Sequence, residues 1–148
     1  DVLCYASSPL EADTEVTGPI KAVVYAATDG ADTDWTAKLV DVSPTGYAMN
    51  LCDGIIRARY RESRTDPTLL QPDRVYEYEI EMGVTGNVFR AGHSIRVEVS
   101  SSNFPRFDRN LNTGHPIGTD AEMRTARQTV HHSAEYPSHV LLPLIPGG

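Results

Sequence analysis

The sequence predicts an all-β protein, a jelly-roll β-sandwich formed by a single domain over residues 1–148. Turn-forming clusters of Gly, Pro, Asn, Asp and Ser recur at short intervals along the chain. Between them lie short runs rich in Val, Ile, Tyr and Thr, the residue types that strands favour. Short strands at such spacing, with few helical windows, are typical of sandwiches and jelly rolls.

The first two predicted strands differ in how many of their faces are buried. Residues 20–27 are almost continuously apolar, as expected of a strand that is covered on both faces. Residues 35–42 begin with a clear alternation that places Trp35 and Leu39 on one face. This alternation is lost at Val40.

Two later segments alternate strictly. In residues 75–82, glutamates occupy every second position from Glu77 to Glu81, and Tyr, Ile and Met side chains occupy the alternate positions from 76 to 82. Residues 94–100 alternate Ile and Val with charged or polar side chains. Each pattern predicts a strand with one buried face and one solvated face.

The last third of the chain holds the two least regular elements. Residues 140–145 resemble a closing strand, and Pro143 would place it at an edge or a bulge because proline lacks an N–H group. Residues 119–127 carry Asp120 and Glu122 near the start and arginines near the end, the charge order that suits a helix dipole. We therefore predict one short helix in this window.

The overall charge limits the classes of partner. Thirteen Lys and Arg against twenty Asp and Glu give a net charge of −7, and an acidic surface repels the phosphate backbone, so we expect no nucleic-acid partner. No apolar run approaches the roughly 20 residues that a membrane span requires, so we expect no membrane partner. The chain starts at Asp1 without a Met, which we interpret as an excised domain or a mature terminus.

The residues of a serine hydrolase site are incomplete in this chain. A G-x-S-x-G nucleophile elbow is missing from the sequence. Ser101, Asp108 and His115 do occur in the order Ser, Asp, His, but that order is common by chance, and no glycine-rich oxyanion loop accompanies them. We predict that the chain alone is not an enzyme and does not hydrolyse activated esters.

The sequence also predicts no metal site and no cofactor. His131 and His132 are adjacent, so in a strand their side chains face opposite sides of the sheet. Asp29, Asp32 and Asp34 cluster near a Gly, but the Gly and distal Glu positions of an EF-hand loop are absent. Turns and Asx motifs explain these carboxylates better than calcium does.

The densest polar segment is SSSNFPRFDRN at residues 100–110, which leaves a strand and enters a loop. Arg offers fixed donors that Asp and Asn accept, so such a segment favours a hydrogen-bonded structural clasp. The alternative is a sugar- or peptide-binding loop with Phe as a platform. The clasp or interface residues are Asn103, Phe104, Arg106, Phe107, Asp108, Arg109 and Asn110.

The clasp interpretation makes specific predictions about these side chains. We expect Asp108 to pair with Arg106 or Arg109, or to accept backbone N–H groups, and both Phe rings to lie in apolar surroundings. Replacing Asp108 with Ala would then cost roughly 1–3 kcal/mol.

This segment, with the preceding NVFRAGHSIR at residues 87–96, resembles the C-terminal non-catalytic domain of the X-Pro dipeptidyl-peptidase superfamily. Further stretches resemble the same domain in order: DVLCY at 1–5, EVTGP at 15–19, DTDWTAKLVDV at 32–42, NLCDGI at 50–55, ARYR at 58–61 and PSHVLLP at 137–143. The resemblance covers the chain nearly end to end and implies a galactose-binding-domain-like jelly roll.

The resemblance implies that the catalytic Ser, Asp and His lie in an α/β-hydrolase domain N-terminal to this one, in a parent that cleaves esters, amides or X-Pro peptides. This chain would be the jelly roll, or its later part, that packs on that domain and helps to wall its pocket. Its expected partners are that catalytic domain and, once separated from it, further copies of itself through exposed strand edges. A carbohydrate-binding module is the alternative function.

The two cysteines leave two interpretations open. Cys4 and Cys52 are too few for a disulfide framework and are either buried thiols or one bridge between neighbouring strands. The family resemblance implies cysteines at both positions, which favours the bridge more than the residues alone do.

Overall fold

A computed structural model describes residues 1–119 and 121–146 of the chain. Within these residues the chain forms eight strands in two antiparallel sheets, so the predicted all-β sandwich is confirmed. The strands are β1 (Val2–Ala6), β2 (Thr14–Thr28), β3 (Asp34–Val42), β4 (Ala48–Arg57), β5 (Tyr76–Phe89), β6 (Ser94–Ser100), β7 (Gln128–His131) and β8 (His139–Leu141), with a 3₁₀ turn at Ala58–Tyr60.

Most consecutive strands lie in different sheets. The first sheet has the order β1-β6-β3-β4, and the second has the order β5-β2-β7, with β8 pairing farther along the same edge of β2. The core lies between the sheets and includes Trp35, Leu39, Tyr78, Ile80 and Phe89. Burial raises the pKa of the Tyr78 phenol to about 12.

The predicted alternations have direct counterparts in the sheets. Glu77 to Glu81 point outward from β5, and Tyr78 and Ile80 between them are buried. The register between β3 and β4 shifts between Leu39 and Val40, so the alternation of the sequence is lost where the strand bulges.

The helix predicted for residues 119–127 is wrong for the described part of that window, and Asp120 lies outside the described residues. Residues 121–127 have no helical structure. Instead, the Arg124 N–H donates to Leu111 O at 2.9 Å, and the Arg127 N–H donates to Asp29 Oδ1 at 2.9 Å. Met123 is exposed, so the window lacks the apolar stripe that holds a short helix on a protein core.

Of the two interpretations left open for Cys4 and Cys52, the structure has no bridge: both are free thiols, Cys4 exposed and Cys52 half-buried. Cys4 lies on β1 and Cys52 on β4, which are the two outer strands of the first sheet. Three strand spacings of about 4.8 Å separate these strands. A disulfide needs Cα atoms within about 7 Å of each other, so the two thiols are out of reach.

Candidate functional site

The loop of residues 103–110, here called the clasp loop, is attached to β4 at its first half. Asn103 Nδ2 donates to Asp53 Oδ2 at 2.8 Å, and Arg106 Nε lies 3.0 Å from the same oxygen. The Asp53 side chain is 8% exposed, so one nearly buried carboxylate holds two loop side chains. The N–H of Phe107 closes the turn on Asn103 O at 3.2 Å.

The second half of the loop is attached through a buried carboxylate–arginine network. Asn110 Nδ2 donates to Asp32 Oδ2 at 2.8 Å and to Asp34 Oδ1 at 2.9 Å. Arg57 binds Asp34 with two donors, at 2.9 and 3.1 Å, and Arg59 Nε donates to Asp32 at 2.7 Å. The side-chain amide of Asn110 thus links the Arg57–Asp34 and Arg59–Asp32 ion pairs.

The electrostatics of this network are set by burial. Burial raises the pKa of the Asp34 carboxyl, and the hydrogen bonds from Arg57 and Asn110 oppose that rise without cancelling it. The hydrogen bonds to Asp34 in turn raise the pKa of the Arg57 guanidinium. A buried carboxylate is costly unless donors surround it, and one donor to Asp34 is Asn110 of the clasp loop. Moving the loop would remove that donor, so the network holds the loop in place.

The side-chain pairs of the clasp loop differ from the predicted ones. Asp108 does not face Arg106 or Arg109 as predicted; its carboxylate lies 3.6 Å from Arg57 Nη2, and its side chain is 77% exposed. Phe104 is 60% exposed rather than anchored, and the Arg109 guanidinium lies 4.9 Å from its ring centre.

Phe107, the second phenylalanine of the predicted clasp, is less exposed than Phe104. Phe107 is half-buried, with the Arg106 guanidinium 5.6 Å from its ring centre. The two phenylalanines therefore each carry an arginine over the ring at the loop surface.

Sequence reasoning missed the residues that hold the loop, although a signal was present. Asp32 and Asp34 stand two apart, as do Arg57 and Arg59, and residues two apart share one face of an extended chain. Asp34 is also the register partner of Arg57 across the β3–β4 pair. Complementary charges at this spacing, one pair at the adjoining ends of β3 and β4 and the other just beyond them, indicate neighbouring ion pairs.

The same network supports a second segment at this end of the sandwich. Arg59 Nη2 donates to His115 O at 3.0 Å. Beside it, Tyr60, Leu69, Pro116 and Ile117 line a shallow groove of about 450 Å³. Leu69 and Ile117 are both about half exposed. We call the surface formed by this groove and the clasp loop the rim. The rim presents apolar side chains on an anchored backbone.

The candidate triad and metal residues have other roles. Asp108 faces Arg57, and the His115 ring lies 4.0 Å from Glu122. Within residues 1–119 and 121–146, no group of three or more His, Cys, Asp or Glu side chains could hold a metal ion. In the same part of the chain, no helix has the length and apolar character needed to cross a bilayer.

The two sides of the sandwich differ in how they are closed. On one side β4 packs against β5. On the other side, β1 and the β7–β8 edge flank an open apolar cleft of about 400 Å³ between the sheets. The cleft is lined by Tyr5, Val97, Val99, Val130, Val140 and Leu142, among others.

Residues 1–141 match the family described as the X-Pro dipeptidyl-peptidase C-terminal non-catalytic domain. The chain is 51% identical over 147 residues to cocaine esterase of Rhodococcus sp. (strain MB1 Bresler), which covers 98% of this chain and 26% of that protein. It therefore spans about a quarter of the length of this relative.

Two solved structures share the fold at the same coverage. An aminopeptidase from a marine sediment archaeon, Thaumarchaeota archaeon, superposes with a TM-score of 0.93 at 38% identity. An α-amino acid ester hydrolase superposes with a TM-score of 0.93 at 32% identity. Each alignment covers 98% of this chain and 26% of the larger one. The chain belongs to the family of X-Pro dipeptidyl-peptidase C-terminal non-catalytic domains.

Proposed function

We propose that this chain is the scaffold domain of a serine hydrolase that cleaves esters, amides or X-Pro peptides, and that it docks on the catalytic domain through the rim. The observation that carries this proposal is an anchored loop system that exposes apolar and aromatic side chains among the charged side chains of Arg106, Asp108 and Arg109. Asp53 and the carboxylate–arginine network fix the backbone, while Phe104 and Ile117 remain exposed.

A surface of this kind has the composition and rigidity of a docking site. Interface centres are enriched in aromatic residues and Arg, and Phe104 with Arg109 supplies both. A loop that is already ordered loses less conformational entropy on binding, so more of the contact energy appears as affinity. Docked by the rim, the domain would wall one side of the substrate pocket of the hydrolase.

One observation favours the alternative function, a carbohydrate-binding module. On the outer face of the second sheet, the Tyr136 ring lies 5.9 Å from that of Tyr25 and 5.3 Å from that of His131. The Tyr25 hydroxyl also donates to the Glu77 carboxylate. Ring faces beside a carboxylate suit a sugar, although these three rings contact one another and are half-buried. Calorimetric titration with a sugar panel separates the two functions.

The proposal is tested by sedimentation of the chain with the part of Rhodococcus cocaine esterase that precedes the matching region. We expect a one-to-one complex. Ile117→Glu on the rim should weaken it at least about tenfold, because a carboxylate would be buried at the contact. The matched control is Met49→Glu, an exposed apolar residue near the opposite end of β4. A chain with no affinity for the catalytic part would refute the proposal.

A further inference from the structure

The guanidinium of Arg109 has no polar partner within residues 1–119 and 121–146. The chain carries more carboxylates than cations, 20 Asp and Glu against 13 Lys and Arg. Its other arginines are paired accordingly, because all of them except Arg74 lie within 4.0 Å of a carboxylate. Arg74 donates to the side-chain oxygen of Gln71. Arg109 is thus the exception in an acidic chain, and its donors are available to a carboxylate from outside it.

Arg109 is nevertheless held in one place. Its guanidinium lies over the ring of Phe104, 4.9 Å from the ring centre, which is within the range of a cation–π contact. The next residue, Asn110, is bound to Asp32 and Asp34, so the backbone beside Arg109 is anchored. A guanidinium over a ring keeps its N–H donors at the edge of its plane, where they can reach an acceptor.

A small cavity of about 140 Å³ opens beside Arg109, and two further arginines, Arg57 and Arg59, border it. Both are fixed by Nε hydrogen bonds to buried carboxylates, whereas neither Nη1 group has a hydrogen-bond partner within the described residues. The carboxylate on the cavity wall, Asp108, is 77% exposed and lies 3.6 Å from Arg57 Nη2, which is beyond hydrogen-bond distance. Three guanidinium groups therefore border a cavity whose own carboxylate neutralises them weakly.

We propose that Arg109 binds a carboxylate side chain of the catalytic domain, an Asp or a Glu, which enters this cavity when the rim docks. The inference rests on the proposed function, because the carboxylate belongs to the domain that the rim binds. Two parallel N–H donors of a guanidinium match the two oxygens of a carboxylate, and such pairs are stronger than neutral hydrogen bonds. Since Phe104 already holds Arg109, the pair forms with a smaller loss of side-chain entropy.

The size of the cavity favours a side chain over a free ligand. Pockets that bind small molecules measure roughly 300–1,000 Å³. The cavity beside Arg109, at about 140 Å³, is well below that range. A carboxylate released by the hydrolase would bring the rest of the product with it, whereas an Asp or Glu brings only a short stem.

Sedimentation of the chain with the part of Rhodococcus cocaine esterase that precedes the matching region tests the inference. Arg109→Gln should weaken the complex at least about fivefold at low salt. The loss should shrink in about 0.5 M NaCl, because salt screens the ion pair. Arg109→Lys should bind less tightly than the wild type, since an ammonium cannot make two parallel bonds. The matched control is Arg64→Gln, an exposed arginine that pairs with Glu81 of this chain, and it should leave the complex unchanged.

Two measurements on the chain alone separate binding from other roles. The melting temperature of Arg109→Gln should equal that of the wild type, because the guanidinium has no polar partner among the described residues. Acetate, added while the Arg109 Nε–H is followed by NMR, should produce no saturable shift at micromolar concentrations. Such a shift would assign the cavity to a free carboxylate and overturn the side-chain occupant.

A double-mutant cycle identifies the partner. In a chimera in which this chain replaces the matching region of Rhodococcus cocaine esterase, acidic residues of the catalytic part are changed one at a time, Asp to Asn or Glu to Gln. One of these changes should lower the melting temperature in the Arg109 background and lose that effect when Arg109→Gln is already present.

Several outcomes would overturn the inference: a complex that Arg109→Gln does not weaken, an equal loss at low and high salt, or no acidic residue that couples to Arg109. A complex that Ile117→Glu weakens and Arg109→Gln does not would leave the proposed function standing without this ion pair. The absence of any complex with the wild-type chain would overturn both.

Discussion

The same two sheets pack closely together on the β4–β5 side of this sandwich but leave an open cleft on the β1 side. Where β4 meets β5, Gly54 has no side chain, and a Cβ there would overlap the carbonyl group of Glu81. The backbones approach so closely that nothing else fits between them. Where β1 faces the β7–β8 edge, an apolar cleft of about 400 Å³ remains. The core is therefore closed on the β4–β5 side and open on the β1 side.

The two sides also differ in chemistry. The end of β4 carries the buried carboxylate–arginine network, in which Asp32 and Asp34 are almost fully buried. Directional bonds of this kind fix one arrangement of the loops. The open side is lined mainly by apolar side chains and has no comparable ion-pair network among its lining residues. We therefore expect substitutions near β4 to act on the stability of the chain and those near β1 to act on its association.

The largest effect is expected from Asp32→Ala. Arg59 would lose its carboxylate partner and remain buried with an uncompensated charge, which costs about 3–5 kcal/mol. Urea denaturation of the chain measures the loss. A loss below about 1 kcal/mol would show that the network is not the anchor described here.

A smaller loss is expected from Gly54→Ala on the closed side. The added methyl group must push β4 away from Glu81, and overpacking of this kind costs about 1–3 kcal/mol. Gly86→Ala on β5 is the matched control, because the nearest atom to its added Cβ would be 3.7 Å away. Equal melting temperatures for the two variants would contradict the close approach of the strands.

The pH dependence of Asp34 has a defined sign. Burial raises its folded pKa above the ordinary value of 3.8, so the folded state binds more protons than the unfolded state between the two values. The contribution of this group is complete below pH 3.8 and is lost as the pH rises through the folded pKa. The unfolding free energy of the wild type minus that of Asp34→Asn should therefore fall with rising pH in this window. If this free-energy difference rose with pH instead, the folded pKa of Asp34 would lie below the ordinary value rather than above it.

The smallest effect is expected from Asp108→Ala. Its carboxylate is exposed and 3.6 Å from Arg57, so its loss should cost less than about 1 kcal/mol rather than the 1–3 kcal/mol predicted from the sequence. Asp53→Ala, which removes the nearly buried anchor of Asn103 and Arg106, should cost more in the same thermal denaturation series. A larger loss of stability for Asp108→Ala than for Asp53→Ala would instead support the clasp predicted from the sequence, in which Asp108 is the central carboxylate.

The sequence predicted the parts of the fold that depend on local pattern. The glutamates from Glu77 to Glu81 mark a half-buried strand because side-chain direction alternates with every residue. The network was not predicted because it joins Asn110 to Asp32, 78 positions apart, and only the packed topology brings them together. The separation of Cys4 from Cys52 could not be predicted for the same reason, since strand order in the sheet is not a local property.

The most direct test of the central claim is an esterase assay on three proteins: this chain, Rhodococcus cocaine esterase truncated before the matching region, and that truncated enzyme fused to this chain. A non-catalytic scaffold predicts no turnover of p-nitrophenyl esters by the chain alone, impaired turnover by the truncated enzyme, and restored turnover in the fusion. Saturable turnover by the pure chain, blocked by a serine-reactive phosphonate, would contradict the account, as would a truncated enzyme with full activity.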